Sequence, residues 1–388
     1  MRAGLMTEAG QDTAIGQDRR ILYADPHAYC AHPHLAVVAE DRWLLVFNRT
    51  IRRDVILHPP QDPLYQNLLT ISRDQGRSWG PAEVVPDYGW SGVECAGLTA
   101  TGGNRVMLNQ WRFRWYPLRL AEQVEDRRDL AWPDQLMRGV AMSHEIDHWA
   151  PAPEHLAERY PWVRGRGETW VHLSDDGGET FPKSVRVETG AYSGGYGMRG
   201  AVALPNGDLI LPLSDVPHYR RIFVVRSSDR GATWSPPTPV ASEPRHEFEE
   251  PAPLVLLGGR ILLLLRENVS RILHIVHSDD GGATWSSPRP TGIPDYPAHL
   301  IALPDGRIAA VTGCRRPPYG IRVHLSADGG ATWDHEHPVI LRDDLPNKDL
   351  GYPTAALRRD GNLYVVYYAQ DSDGITKIMA ETVRLSER

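Results

Sequence analysis

The sequence predicts an all-β protein, a six-bladed β-propeller, and three observations carry that prediction. An eight-residue phrase, Ser-x-Asp-x-Gly-x-Thr/Ser-Trp/Phe, recurs five times, beginning at Ser72, Ser174, Ser227, Ser278 and Ser326. Apolar runs between the copies come in pairs joined by turn dipeptides, as at Asn206-Gly207, Asp305-Gly306 and Asp360-Gly361. The 388 residues include 35 Gly and 32 Pro, a composition suited to many short strands and frequent turns. A phrase repeated at this period marks a repeat architecture, not a catalytic motif.

Each element of the repeat has a physical reason. Within the phrase, Asp and Ser/Thr side chains bond nearby backbone amides, and Gly takes the positive φ that a tight loop needs. The terminal aromatic is large enough to anchor the loop against a neighbouring unit. Each unit then reads strand, hairpin, strand, connection, strand, phrase, strand, which makes a four-stranded blade. The copies start 102, 53, 51 and 48 residues apart, so one interval is about twice the others. Residues 96–110 and 168–173 supply strands of one blade within it, leaving 111–165 as an insertion of mixed or helical structure. Three final strands, between Tyr352 and Leu385, lack a phrase, and a strand around Arg20–Ala24 closes their blade. The expected organisation is an N-terminal tail, 1–19, and one propeller domain, 20–388.

Charge and composition narrow the function. A net charge of −7 gives no long-range attraction to nucleic acid or to an anionic membrane. Cys30, Cys95 and Cys314 fit neither a metal spacing nor a disulfide framework. The first twenty residues hold no continuous apolar run, and no stretch reaches the length of a membrane span. A cytoplasmic protein without a signal peptide, and without a cofactor, is expected. His144-Glu145-Ile146-Asp147-His148 matches the zinc-protease pattern HExxH, whose two His share one helical face. Pro151 and Pro153 follow at once and the motif lies in the insertion, so no catalytic metal is assigned.

Topology says where a site belongs. First-strand starts and second-strand ends share the face opposite the phrases. In blade order that face offers His32, His34 and Arg49; Glu94, Gln110 and Arg112; Arg199 and Asp215; and Glu249, Glu250 and Arg266. It continues with Tyr296, His299, Arg315 and Arg316, then Lys348, Asp349, Tyr352, Tyr367 and Tyr368. Ionisable groups that end apolar strands are costly unless paired or used, and a ring of them converging on one axis marks a candidate site. Trp111, Trp115, Trp132, Trp149 and Trp162, in or beside the insertion, suit either stacking on sugar rings or packing of the insertion itself.

Five phrases on six blades resemble the sialidase (neuraminidase) superfamily of BNR/Asp-box propellers, over nearly the whole chain after residue 20. The phrase is specific for fold and weak for activity. More telling is Glu250 followed sixteen residues later by Arg266, because that family pairs a first-strand Glu with a second-strand Arg at this spacing. Tyr352, in Gly351-Tyr352-Pro353, stands where the family's nucleophilic Tyr opens the final blade. Asp62, in the loop before the first phrase, is near the family's acid/base Asp, and Arg315, Arg316 or Arg322 is a candidate for a further carboxylate-binding Arg. The resemblance implies an exo-acting glycoside hydrolase on a terminal acidic, sialic-acid-like sugar. Arg forks would grip the sugar carboxylate. A neutral Tyr352 would avoid repulsion with that anion and pass its proton to Glu250, while Asp62 would protonate the leaving oxygen.

The pattern departs at one place. Sialidases open their first blade with Arg-Ile-Pro, and the matching stretch here is Ala31-His32-Pro33. His32, Arg49 or Arg199 is then the candidate replacement, with Glu94 a further substrate contact. Rhamnosidases and uronate lyases on propellers resemble this arrangement in using a pocket His. His32 and His299 therefore keep open a His-dependent lyase or hydrolase acting on another acidic or deoxy sugar. A non-catalytic glycan-binding propeller is the third reading, and a carbohydrate is the expected partner in all three.

Overall fold

A computed structural model describes residues 17–53, 59, 62–85, 91–93, 95–117, 162–192, 194–215 and 219–385. Its strands form six sheets. After β1 (Gln17–Ala24), the first blade holds β2 (Ala28–Ala39), β3 (Arg42–Ile51), β4 (Gln66–Ser72) and β5 (Glu83–Val84). The second holds β6 (Ser91–Val93) and β7 (Gly97–Ala100), then β8 (Val106–Pro117), β9 (Trp162–Ser174) and β10 (Lys183–Val187). The third is β11 (Gly195–Tyr196), β12 (Val202–Ala203), β13 (Leu209–Asp215), β14 (Ile222–Ser227) and β15 (Thr238–Ala241). The fourth is β16 (Phe248–Val255), β17 (Ile261–Glu267), β18 (His274–Ser278) and β19 (Arg289–Pro290). The fifth is β20 (Ala298–Ala302), β21 (Ile308–Cys314), β22 (Tyr319–Ser326) and β23 (Val339–Leu345). The sixth runs β24 (Leu350–Leu357), β25 (Leu363–Gln370) and β26 (Thr376–Val383), and β1 completes it against β26.

Blades packed face to face bury both sides of their central strands. That is why β13, β17 and β21 are buried at every position and read as continuous apolar runs instead of alternating ones. The core divides into six hydrophobic clusters that follow the six seams between blades. Leu44, Val46 and Leu69 of the first blade meet Leu98, Val106 and Leu108 of the second, for example.

The phrases close the far face. Four of the five phrase Ser residues are cross-strand partners to the first residue of their blade's second strand, as Ser278 is to Ile261 and Ser326 to Ile308, and Ser72 pairs with Trp43, the second residue of β3. In the first copy, Gly76 N–H donates to Ser72 Oγ at 2.8 Å, and the Ser78 amide and hydroxyl donate to Asp74 at 2.8 and 2.6 Å. Trp79 Nε1 then donates to the Tyr364 hydroxyl at 3.2 Å, tying the first blade to the sixth.

Two boundaries differ from expectation. Residues 111–117 and 162–165 belong to β8 and β9, whose ladder runs on to the pair Pro117–Trp162, so the insertion is shorter than 111–165. Apolar Trp, Phe and Val continue the strands where an insertion was read, and Trp111 and Trp115 are buried in the seam cluster, not displayed for stacking. Residues 118–161, with the His144–His148 motif, Trp132 and Trp149, lie outside the described residues. The closing strand starts at Gln17, inside the expected tail. Among the described residues every regular element is a strand, and no helix is long and apolar enough to cross a membrane.

Candidate active site

Three innermost strands share one backbone device. His32, Glu250 and Tyr352 carry φ of 57°, 51° and 46°, and each precedes a proline. Each sits in a register shift of its ladder, between Ala31 and His34, Glu249 and Ala252, and Gly351 and Thr354. A bulge re-aims a side chain out of the pleat, and a left-handed non-glycine backbone is strained, so both features point to imposed positions. The three residues come from blades one, four and six, and all are buried.

They are brought together with two cations. The Tyr352 hydroxyl donates to Glu250 Oε1. Arg266 Nη1 donates to Glu250 Oε2 at 2.9 Å, and Arg266 also lies 3.1 Å from Glu249. Asn268 joins them, accepting from Arg266 Nε at 3.0 Å and donating to Glu249 Oε1 at 2.8 Å. Arg315 lies 5.4 Å from the Tyr352 ring centre, its Nε and Nη2 donating to the Leu350 carbonyl. Arg266 also covers the Tyr296 ring at 4.7 Å. The His32 ring meets the Tyr352 ring edge-on, with centroids 4.3 Å apart. Burial, followed by the Glu250 charge, pushes the Tyr352 phenol well above its usual range, with Arg266 and Arg315 working the other way. The phenol is therefore protonated at neutral pH and donates its hydrogen bond to Glu250.

A chain of polar groups, buried as far as His172, runs outward from His32 to the exposed Ser184. Its Nδ1 meets Asn48 Oδ1 at 3.1 Å, Asn48 donates to Asn67 at 2.6 Å, and Asn67 donates to Gln110 at 2.7 Å. Gln110 Nε2 then meets His172 Nε2 at 3.0 Å, and His172 Nδ1 meets Ser184 Oγ at 2.8 Å. Amides have one donor end and one acceptor end, so this order gives His32 its proton on Nδ1 and His172 its acceptor on Nε2. Burial, with Arg112 nearby, pushes His172 down to about 3, which keeps it neutral for that role.

The remaining expected residues divide. Of the three candidate arginines, Arg315 reaches Tyr352, while Arg316 and Arg322 turn to Asp295, at 3.1 and 3.6 Å. Arg49 is not brought to the cluster, because its fork holds Asp25 at 2.8 Å beside the outer strand β1. Arg199 is buried; its Nε donates to the Ala298 carbonyl at 2.9 Å and its two terminal nitrogens have no hydrogen-bond partner. Burial lowers it to about 10 against the opposing pull of the Glu250 charge. His299 faces His34 across 5.9 Å, and burial with Arg199 pushes it down to about 3. Asp62 is fully buried, and both its oxygens accept from Arg53, at 2.8 and 3.1 Å, with Thr50 and the Leu64 amide also donating. Glu94 lies outside the described residues. Among those described, no group of three His, Cys, Asp or Glu side chains is placed to hold a metal ion. Asn48, Arg53 and Asn268 went unread in the sequence; Asn268 had a signal, sitting two residues from Arg266 and so on the same side of an extended segment.

Six blades with Asp-box loops on one face and an acid-bonded tyrosine near the axis of the other define a propeller of the sialidase fold. More particularly, the chain belongs to the BNR repeat-like domain family, which matches residues 146–365, more than half of its length. No curated protein matches it significantly in sequence. Among solved structures it is similar to a Dyadobacter fermentans protein of unknown function, at 20% identity and TM-score 0.77, covering 97% of this chain and 100% of that one. It is similar also to the NanB sialidase of Streptococcus pneumoniae, at 14% identity and TM-score 0.63, covering 98% of this chain and 70% of that one. A leech intramolecular trans-sialidase, solved with 2,7-anhydro-Neu5Ac, matches at 13% identity and TM-score 0.62, with 98% and 70% covered. At such identities the likeness is one of fold.

Proposed function

We propose that the protein is an exo-acting glycoside hydrolase of sialidase type that removes a terminal acidic sugar, with Tyr352 as nucleophile and Glu250 as its base. One observation carries this reading: the Tyr352 hydroxyl is bonded to one oxygen of Glu250 while Arg266 holds the other. A neutral phenol can approach an anomeric carbon that bears a carboxylate without charge repulsion, and Glu250 takes its proton as the new bond forms. Arg266 and Arg315 flank that point and supply charge for the sugar carboxylate. Arg199, buried with its terminal nitrogens unpartnered, is the third arginine of this reading, in place of the first-blade Arg that His32 replaces. Asp62 is assigned protonation of the leaving oxygen, which requires substrate to displace Arg53 from it.

The test is release of 4-methylumbelliferone from its sialic acid glycoside, beside rhamnoside and glucuronide analogues. Turnover of the sialoside is expected, and Tyr352→Phe should lower kcat by at least about a thousandfold while leaving folding intact. Sialoside turnover that survives Tyr352→Phe would remove Tyr352 from the chemistry. A second reading, a His-dependent lyase or hydrolase on another acidic or deoxy sugar, is favoured by the His32 ring packed on Tyr352 with Nδ1 held by Asn48. Turnover confined to the glucuronide or rhamnoside, and lost in His32→Gln, would select it.

A further inference from the structure

We propose that the groove beside this site binds a second oxyanion of the substrate, so that the preferred ligand is a dianionic glycan and not a singly charged one. The inference rests on the glycosidase reading and names its substrate class more closely. A cavity of about 280 Å³ opens where blades four, five and six meet; Arg271, Arg315, Arg316 and Lys348 line it together with Ile272 and Tyr296. Tyr296 and Arg315 belong also to the surroundings of Tyr352, so the cavity adjoins the reacting centre. Four cations gather around this one hollow in a chain of net charge −7. Like charges gathered in a recess repel one another, and an anion in their midst relieves that repulsion.

Two of the four cations have no carboxylate partner among the described residues. Arg316 bonds Asp295 at 3.1 Å, but neither Arg271 nor Lys348 has a carboxylate at ion-pair distance among the described residues. Both stand on fixed backbone. The turn that carries Arg271 is tied by Glu267, whose carboxylate accepts from the amides of Val269 and Ser270, while its carbonyl accepts from Arg271 N–H at 3.1 Å. The turn at Lys348 is tied by Asn347, which accepts from the Asp349 amide at 2.9 Å and donates to Gln370 at 2.9 Å. Ile272 and the Tyr296 ring give the hollow an apolar wall suited to a sugar face, leaving the charged rim to meet a sulfate, a phosphate or a second carboxylate.

Binding is measured by calorimetry on the full chain carrying Tyr352→Phe, so that no ligand is consumed. Three ligands are compared: sialyllactose, sialyllactose bearing a sulfate on its galactose, and disialyllactose. At least one dianion should bind roughly tenfold more tightly than sialyllactose, with the gain shrinking as salt rises. Which dianion gains identifies whether the groove reads a sulfate or a carboxylate. Adding Arg271→Gln and Lys348→Gln, both on the rim, should erase the gain and leave sialyllactose binding unchanged. Equal binding of all three ligands, or a gain that persists in the rim variant, overturns the proposal. Aryl sialoside turnover of the unmodified chain separates the two ideas. Turnover with equal binding sinks the groove alone, whereas no turnover and no binding sinks both.

Discussion

His32, Glu250 and Tyr352 each hold a left-handed backbone that costs an ordinary residue on the order of 1–3 kcal/mol, and all three aim at one point. Their roles differ in how much chemistry the surroundings allow. Tyr352 is matched to its proposed part, because burial and the Glu250 charge keep it protonated until Glu250 takes the proton as the bond to the sugar forms. Asp62 is the side chain whose proposed part makes the sharpest demand, since Arg53 occupies both its oxygens. Leaving-group dependence tests it. A general acid matters most when the departing oxygen is basic, so Asp62→Ala should cost about a hundredfold or more in kcat for a sialyl-alkyl substrate and little for the 4-methylumbelliferyl one. Equal losses on both would make Asp62 a structural anchor for Arg53 and Thr50. The sequence made Glu250, Arg266 and Tyr352 legible because strand starts and ends fall at fixed points of a repeating unit. It also contained a shared signal in His32-Pro33, Glu250-Pro251 and Tyr352-Pro353, three bulge sites each written as a polar residue before proline. Arg49 pairs with Asp25 and His299 meets His34 for a physical reason. A strand end fixes height on the blade, but the alternation of side chains then decides between the seam, the axis and the pocket.

At the scale of the element, the Asp-box loops were the most legible part, because every bond in them is local. The Thr284 hydroxyl and amide, with Ser278, hold Asp280 down at about 2, and against the raising effect of burial Thr180 and Ser174 likewise bring Asp176 to about 2. A carboxyl depressed on folding contributes stability above its unfolded value near 4, and that contribution fades as pH falls through the folded value. With five such loops shifted in the same direction, the urea midpoint should be flat above about pH 4 and fall steadily towards about pH 2. Replacing Asp280 and Asp176 by Asn should flatten that fall; an unchanged acid profile would place the sensitivity elsewhere. The ends of β8 and β9 were less legible. Trp111 and Trp115 look like display residues in a sequence, and it takes the neighbouring blade to show them buried.

The whole molecule depends on one closing contact, the pairing of β1 with β26. Leu22 and Tyr23 pack against the cluster that also contains Tyr352, and Arg19 reaches Glu381 at 2.8 Å. Deleting residues 1–24 should remove at least about 3 kcal/mol of apolar burial and expose a strand edge. The deletion variant should melt lower and lose turnover before it loses strand content by circular dichroism. Full activity in a variant of unchanged melting point would show that the ring does not need its clasp. The line of amides from His32 to Ser184 bears on the molecule in another way. Each member can point its donor in one direction only if its neighbour does the same, so the row is a single polarised object spanning two blades, and turning one amide over would demand turning them all. The position of a proton at the axis is in this sense written at the rim of the neighbouring blade, and a substitution at Ser184 or Gln110, far from any sugar, would be read at His32.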